Sequence, residues 1–236
     1  MRARLIGLGL GLGLGLGSAD AGPVTTAAKG AVVDWTAGLV RAEVTIPADR
    51  HAPSPAVARG GARRRAEERA RARLAAAAKV LPWAAGGTVG EQLKGKDGQA
   101  ALDGAVAAAI VLGADYFTDG SVRVELGLPI EAVRVAIAGP RRVEPGSAPD
   151  PGPTAIVVDA TKLDVGPAVG LGLQSGGASA VGPVVFAHER PDAEQLGPRP
   201  ADVKAARRKG GALVVDNVDP AAVPGALVVV MVRARP

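Results

Sequence analysis

Between residues 31 and 46 apolar side chains fall on alternate positions, with Val40, Ala42, Val44 and Ile46 separated by Arg41, Glu43 and Thr45. A period of two belongs to a strand with one buried and one wet face, so Ala31 to Trp35 and Leu39 to Ile46 are predicted to form a strand pair. The period then lengthens. Ala58, Ala62, Ala66, Ala70, Leu74 and Ala78 recur every fourth residue, which predicts a helix that Ser54-Pro55 opens and Pro82 stops. Its small-residue stripe allows close approach to a sheet. A second helix is predicted over roughly Gln99 to Leu112, capped by Asp97 and ended by Gly113, with Leu102, Val106, Ala109 and Ile110 on its apolar side. Alternation returns at Tyr116-Phe117 and from Ser121 to Pro129, on either side of an Asp119-Gly120 turn.

The predicted order is β-β-α-α-β-β, a two-layer unit of the α+β class spanning residues 22–138. Residues 139–153 hold five prolines and three glycines, the composition of an extended linker. Residues 154–236 read as a small β-rich domain. Its strands are placed at Ala155 to Val158, Val184 to Ala187, Ala212 to Val215 and Leu227 to Val232, and a short helix near Ala201 to Arg208. The Gly/Ala-rich stretch from Val165 to Val181 has an ambiguous pattern, with a loose hairpin as one reading of it.

The first 21 residues have a different character. Arg2 and Arg4 precede an apolar run of thirteen residues, Leu5 to Gly17, which is shorter than the roughly 20 needed to span a bilayer. Ala19-Asp20-Ala21 follows with small residues at the positions a signal peptidase reads, so residues 1–21 are expected to be a secretory signal peptide. The mature chain is then expected in the periplasm, peripheral to the outer membrane and without a transmembrane span. There is no cysteine, which removes both disulfide bracing and a lipid-acceptor thiol.

The net charge is +5, of which Arg2, Arg4 and Asp20 account for one, too small an excess to mark a nucleic-acid partner. The helix of residues 55–81 concentrates it: Arg63, Arg64, Arg65, Arg69, Arg71 and Arg73 outnumber Glu67 and Glu68. These six arginines are the candidate contact for an anionic partner such as lipid headgroups, lipopolysaccharide or a cell-wall polymer. The plainer account of them is a solvated helix face whose Arg stems cover apolar surface.

Catalytic chemistry has few candidates. Gly90-Glu91-Gln92-Leu93-Lys94-Gly95-Lys96 has phosphate-loop spacing, but Asp97 stands where a hydroxyl should meet Mg²⁺. His51 and His188 stand apart in polar loops, outside any metal-ligand spacing, and no G-x-S-x-G elbow occurs. No catalytic, cofactor-binding or metal-ligating residue is assigned, and no cofactor is expected. Asp159 and Asp216, each after an apolar strand, support the alternative of a small envelope hydrolase.

Val33-Asp34-Trp35, the Ala62/Ala66/Ala70/Leu74 series with Arg63 and Glu67, and the Asp119-Gly120-Ser121-Val122-Arg123-Val124 strand closing at Pro129 together resemble a family of bacterial envelope proteins. These are the small outer-membrane lipoproteins and the related N-terminal domain of the flagellar H-ring assembly protein T. Ala155 to Ala160 with Pro167-Ala168, and Gly182 to Phe186, are similar to the C-terminal half of longer members. The resemblance implies an accessory, non-catalytic role in envelope or flagellar-type assembly, with other envelope proteins or anionic envelope polymers as partners and homo-oligomers compatible. The chain departs from that pattern in lacking the lipid-acceptor cysteine and in its Gly/Ala-rich residues 165–181.

Overall fold

The computed structural model describes residues 22–140 and 152–234, and the chain is a mixed α+β protein with two sheets. Residues 1–21, expected to be a signal peptide, and residues 141–151 of the expected linker lie outside the described residues. The first sheet has five antiparallel strands: β1 (Thr25–Ala28), β2 (Ala31–Asp34), β3 (Leu39–Ile46), β4 (Ile110–Tyr116) and β5 (Val122–Pro129), in the spatial order β1-β2-β3-β5-β4. The alternation at residues 40–46 does what its period requires. Val40, Ala42, Val44 and Ile46 are buried, and so are Val122, Val124, Leu126 and Leu128 of the neighbouring strand.

Helix α1 (Pro55–Val80) lies across that buried face. Ser54 is its N-cap, with the Oγ accepting from the Val57 N–H, and Pro55 fills the first turn where no internal hydrogen bond is lost. All six members of the four-residue series, Ala58 to Ala78, are buried, so backbone and sheet approach without a large side chain between them. Leu74 is the one bulky residue of the series and is wholly buried.

Three predicted elements are corrected. The second helix, α3 (Gly95–Ala107), starts after the one-turn helix α2 (Val89–Gln92) and stops before Ile110; its N-cap is Lys94, and Asp97 lies in the first turn. Ile110 to Leu112, expected to be helical, belong to β4, and Phe117 falls in the turn beyond it. Pairing of a β-branched Ile-Val run with β5 outweighs the helix propensity of the alanines before it. The helix near Ala201 to Arg208 is instead the strand β10 (Pro200–Lys209). Its Ala, Lys and Arg favour helix in isolation, but ladders to two other strands hold it extended. Strand β1 and helix α4 (Ile130–Ala138) were not anticipated.

The second sheet contains β6 (Ala155–Asp159), β7 (Gly172–Ser175), β8 (Ala178–Ala180), β9 (Val184–Ala187), β10, β11 (Ala212–Val215) and β12 (Leu227–Met231). Their order is β8-β7-β11-β10-β6-β12-β9. A hairpin within 165–181 is formed by β7 and β8. β6, β9, β10 and β12 run parallel, and parallel strands are covered on both faces, which is why Ala155 to Val158 form an unbroken apolar run. Ile156 and Val158 join the main core. Ala155 and Val157 join a smaller cluster with Ala187, Leu196 and Val229 beneath the one-turn helix α5 (Ala193–Leu196).

The main core is continuous from the first sheet into the second. The free edge of β9 meets the turn after β2: the Phe186 N–H donates to Trp35 O (3.0 Å), and Thr36 Oγ1 donates to Phe186 O (2.8 Å). The Phe186 and Trp35 rings pack edge to face at 5.8 Å. A second seam lies below α1, where Ala84 N–H donates to Val169 O and Val169 N–H to Pro82 O, both at 2.9 Å.

Candidate anionic-partner surface on the first helix

A helix that buries a stripe of alanine must carry its long side chains on the flanks and the outer side, and the arginines of α1 divide accordingly. Arg65, Arg69 and Arg73, spaced four apart, follow one flank above β3. β2 reaches only as far as the Arg41 end of β3, leaving the backbone of residues 43–47 unpaired by β2. Arg73 Nη1 donates to Glu43 O (2.6 Å) and Arg65 Nη2 to Pro47 O (3.5 Å), so two arginines cap this open stretch of strand and keep their charge. Between helix and strand end runs a groove of about 520 Å³, lined by Ile46, Pro47, Asp49, Arg65, Glu68 and Arg69.

Arg63 and Arg71 occupy the other flank, toward β4. Both bind the carboxylate of Glu67, Arg63 Nε at 2.9 Å and Arg71 Nη1 at 3.5 Å, and Arg63 Nη1 also donates to the Tyr116 hydroxyl (3.2 Å). The hydrogen bond to Glu67 and then the one to Tyr116 push the Arg63 guanidinium above its ordinary range. Arg64 and Arg69 are exposed and make no hydrogen bond or ion pair with a described residue. The structure therefore separates six arginines that the sequence presents as one cluster. Two share one glutamate, two cap β3, and two stand free. Tyr116 as the partner of Arg63, and Arg73 as the cap of β3, were not foreseen, because both depend on which strands flank α1.

The remaining sequence candidates share none of the four clefts. Asp159 accepts from the Thr161 hydroxyl (2.6 Å) and N–H (3.1 Å) in a tight turn. Those two bonds, with Lys204 and Lys162 adding, hold its carboxyl below the usual range, the wrong direction for a general acid near neutral pH. Asp216 is exposed beyond β11. The register sets Asp159 beside Lys204 and Val215, the residue before Asp216, beside Ala205, so both acids flank one level of β10. Other clefts lie between α3 and α4 beside Trp83 (about 560 Å³), at the β2–β9 seam (about 350 Å³) and beside Arg134 (about 20 Å³). Neither aspartate lines any of the four clefts. His51 is exposed and His188 Nδ1 lies 3.3 Å from Val232 O. Among the described residues no group of three or more His, Cys, Asp or Glu could hold a metal ion. The Gly90–Lys96 stretch is the capped turn of α2 running into α3, with Thr88 and Glu91 forming a capping box, and it follows α1 where a phosphate loop would follow a buried strand.

Asp159 shares its low carboxyl range with Asp119, bound by Ser121, and Asp202, bound by Arg190. A depressed folded-state pKa contributes stability above the unfolded value of about 3.9 and loses it as pH falls through the folded value. The stability carried by these three carboxylates is expected to be constant from neutral pH to about pH 5 and to be lost only below about pH 4. Urea midpoints across that range check this, and a drop already near pH 6 that Asn replacement of the three abolishes would contradict it.

No protein-family model matches the chain, and no curated protein or solved structure is significantly similar to it. Among the described residues no helix is long and apolar enough to cross a membrane.

Proposed function

We propose that the protein is an exported, non-catalytic accessory component of a bacterial envelope that docks on an anionic partner through helix α1. The five-stranded unit is read as the lipoprotein-like domain, and the seven-stranded unit as the β-rich domain that follows the linker. The observation that carries the proposal is the charge on α1 that the fold leaves unused: Arg64 and Arg69 are exposed and unpaired among the described residues, while Arg65 and Arg73 are bound only by neutral carbonyls. Headgroup phosphates or the acidic groups of an envelope polymer suit a row of guanidinium groups, which bind such oxygens in pairs. The clustering on one rigid helix gives the partner a fixed geometry. The resemblance to envelope proteins supplies the setting, envelope or flagellar-type assembly in the periplasm, peripheral to the outer membrane.

Docking of this kind depends on ionic strength, because exposed charges are screened beyond about 8 Å at physiological salt. Co-sedimentation with vesicles containing anionic lipid is expected at low salt, with at least a tenfold weaker association at high salt and none with zwitterionic vesicles. Equal association with both vesicle types, or insensitivity to salt, would count against an electrostatic docking face.

A further inference from the structure

Among the described residues each sheet has two edges, and three of the four are protected. β1 is four residues long, preceded by Pro23 and followed by Lys29; β8 has three residues; and β9 is closed by its hydrogen bonds to Trp35 and Thr36. β4 is different. It is seven residues long, contains no proline or lysine, and carries a single ionisable carboxylate, Asp115, which Arg123 binds at 2.7 Å. Its apolar side chains face water: Ile110, Val111, Leu112 and Tyr116 are 51, 44, 39 and 50% exposed, and Phe117, next in the chain, is 39% exposed. In a protein with one tyrosine and two phenylalanines, two of the three stand half-exposed at the end of this edge. A long, apolar, unblunted edge strand is a template for another strand.

From this edge we infer that the protein forms a two-fold dimer in which β4 pairs antiparallel with β4 of a second copy, joining two five-stranded sheets into one of ten. The sequence of the strand is self-complementary under that symmetry. Three aliphatic residues, Ile110 to Leu112, stand at one end, the aromatic pair Tyr116-Phe117 at the other, and Gly113-Ala114-Asp115 between them. An antiparallel partner lays the aliphatic end of each copy on the aromatic end of the other, as an isologous interface requires.

Hydrogen-bond parity narrows the register. Phe117 N–H donates to Ser121 O (3.0 Å), so the odd positions 113, 115 and 117 turn their backbone groups to β5, and Ala114 and Tyr116 turn theirs to the free edge. Axes at Ala114 or at Asp115 both satisfy this. The axis at Asp115 sets two carboxylates directly opposite each other, which is unfavourable; the axis at Ala114 sets Asp115 opposite Gly113. The Ala114 axis is therefore the one the charges select. The five large side chains leave on the order of 400 Å² of apolar surface exposed per copy, about half of what one partner of a standard interface buries, and the edge backbone with its flanks adds to it. The unpaired arginines Arg64 and Arg69 take no part in this contact.

The absence of cysteine makes the test direct. Sedimentation equilibrium of the full chain is expected to give twice the mass of one chain, and A114P, which removes an N–H that no internal ladder uses, to give the mass of one chain with unchanged circular dichroism. Independently, A114C places a thiol on the two-fold axis and is expected to oxidise to a disulfide dimer at least tenfold faster than T25C on the blunted β1 edge. A wild-type chain that stays monomeric across the concentration series would overturn the inference and leave the edge to a strand of another protein. So would A114C cross-linking no faster than T25C.

Discussion

Replacing Phe186 by alanine is expected to lower stability by about 3–5 kcal/mol, the cost of removing a buried aromatic side chain and leaving its cavity. Phe186 is 1% exposed, among the largest wholly buried side chains, and sits where the two sheets meet. Its ring rests edge-on against Trp35, whose Nε1 is tied to Thr26 Oγ1 (3.1 Å), and its backbone is held by Trp35 and Thr36. Those backbone bonds survive the substitution, so the seam is hollowed but not unlatched, and neighbours pinned by hydrogen bonds can collapse only partly into the space. Against a total stability of about 5–15 kcal/mol, the loss is large. Urea unfolding should show the whole main core melting earlier in one transition. A loss below about 1 kcal/mol would mean that this ring does not join the sheets.

Gly170→Ala is the second large effect, expected at about 2–5 kcal/mol from two separate causes. Gly170 has φ +76°, a conformation that costs an L-residue roughly 1–2 kcal/mol. A Cβ there would stand 2.8 Å from Trp83 Cη2 and about as close to two more ring carbons. The indole cannot simply withdraw. The Trp83 backbone N–H is bound to Gly87 O at 3.0 Å, and the Val169 bonds to Pro82 and Ala84 close the chain on either side. Overpacking of this sort costs about 1–3 kcal/mol. The denaturation midpoint measures the sum, and the emission of Trp83 reports the displaced ring. A midpoint equal to that of the wild type would show that the loop around Gly170 gives way.

The first half of the fold was legible wherever one face of an element is buried and the other wet. β3 was bounded at both ends, and α1 within a residue or so, because strict alternation, a four-residue alanine series, Ser54-Pro55 and Pro82 all point the same way. β10 was misread because its Ala, Lys and Arg side chains favour helix locally, and the start of β4 because the alanines before Ile110 carry the helical pattern into it; only neighbours distant in sequence make them strands. α4 was missed since its nine residues carry no side-chain cap to announce them. The candidate site was half legible. The sequence identified the arginines, but which of them are spent on Glu67, Tyr116 or the edge of β3 depends on strand order, which no local pattern encodes. The pairing of the β9 edge with Trp35 and Thr36 is hidden for the same reason, as the partners are 150 residues apart.

Docking through the free arginines of α1 is the central claim, and charge reversal at Arg64 and Arg69 tests it most directly. Neither side chain is bound to a described residue, so R64E/R69E is expected to fold normally, with a stability change of about 0.5 kcal/mol or less per site. Reversing Arg63 or Arg71 would replace one of the two arginines on Glu67 by a like charge, and reversing Arg73 would uncap β3, which would confuse loss of binding with loss of structure. Titrating the double variant and the wild type with anionic vesicles at low salt should show at least tenfold weaker association for the variant at an unchanged unfolding midpoint. Equal association of the two proteins would contradict the account and return α1 to the role of a solvated helix face.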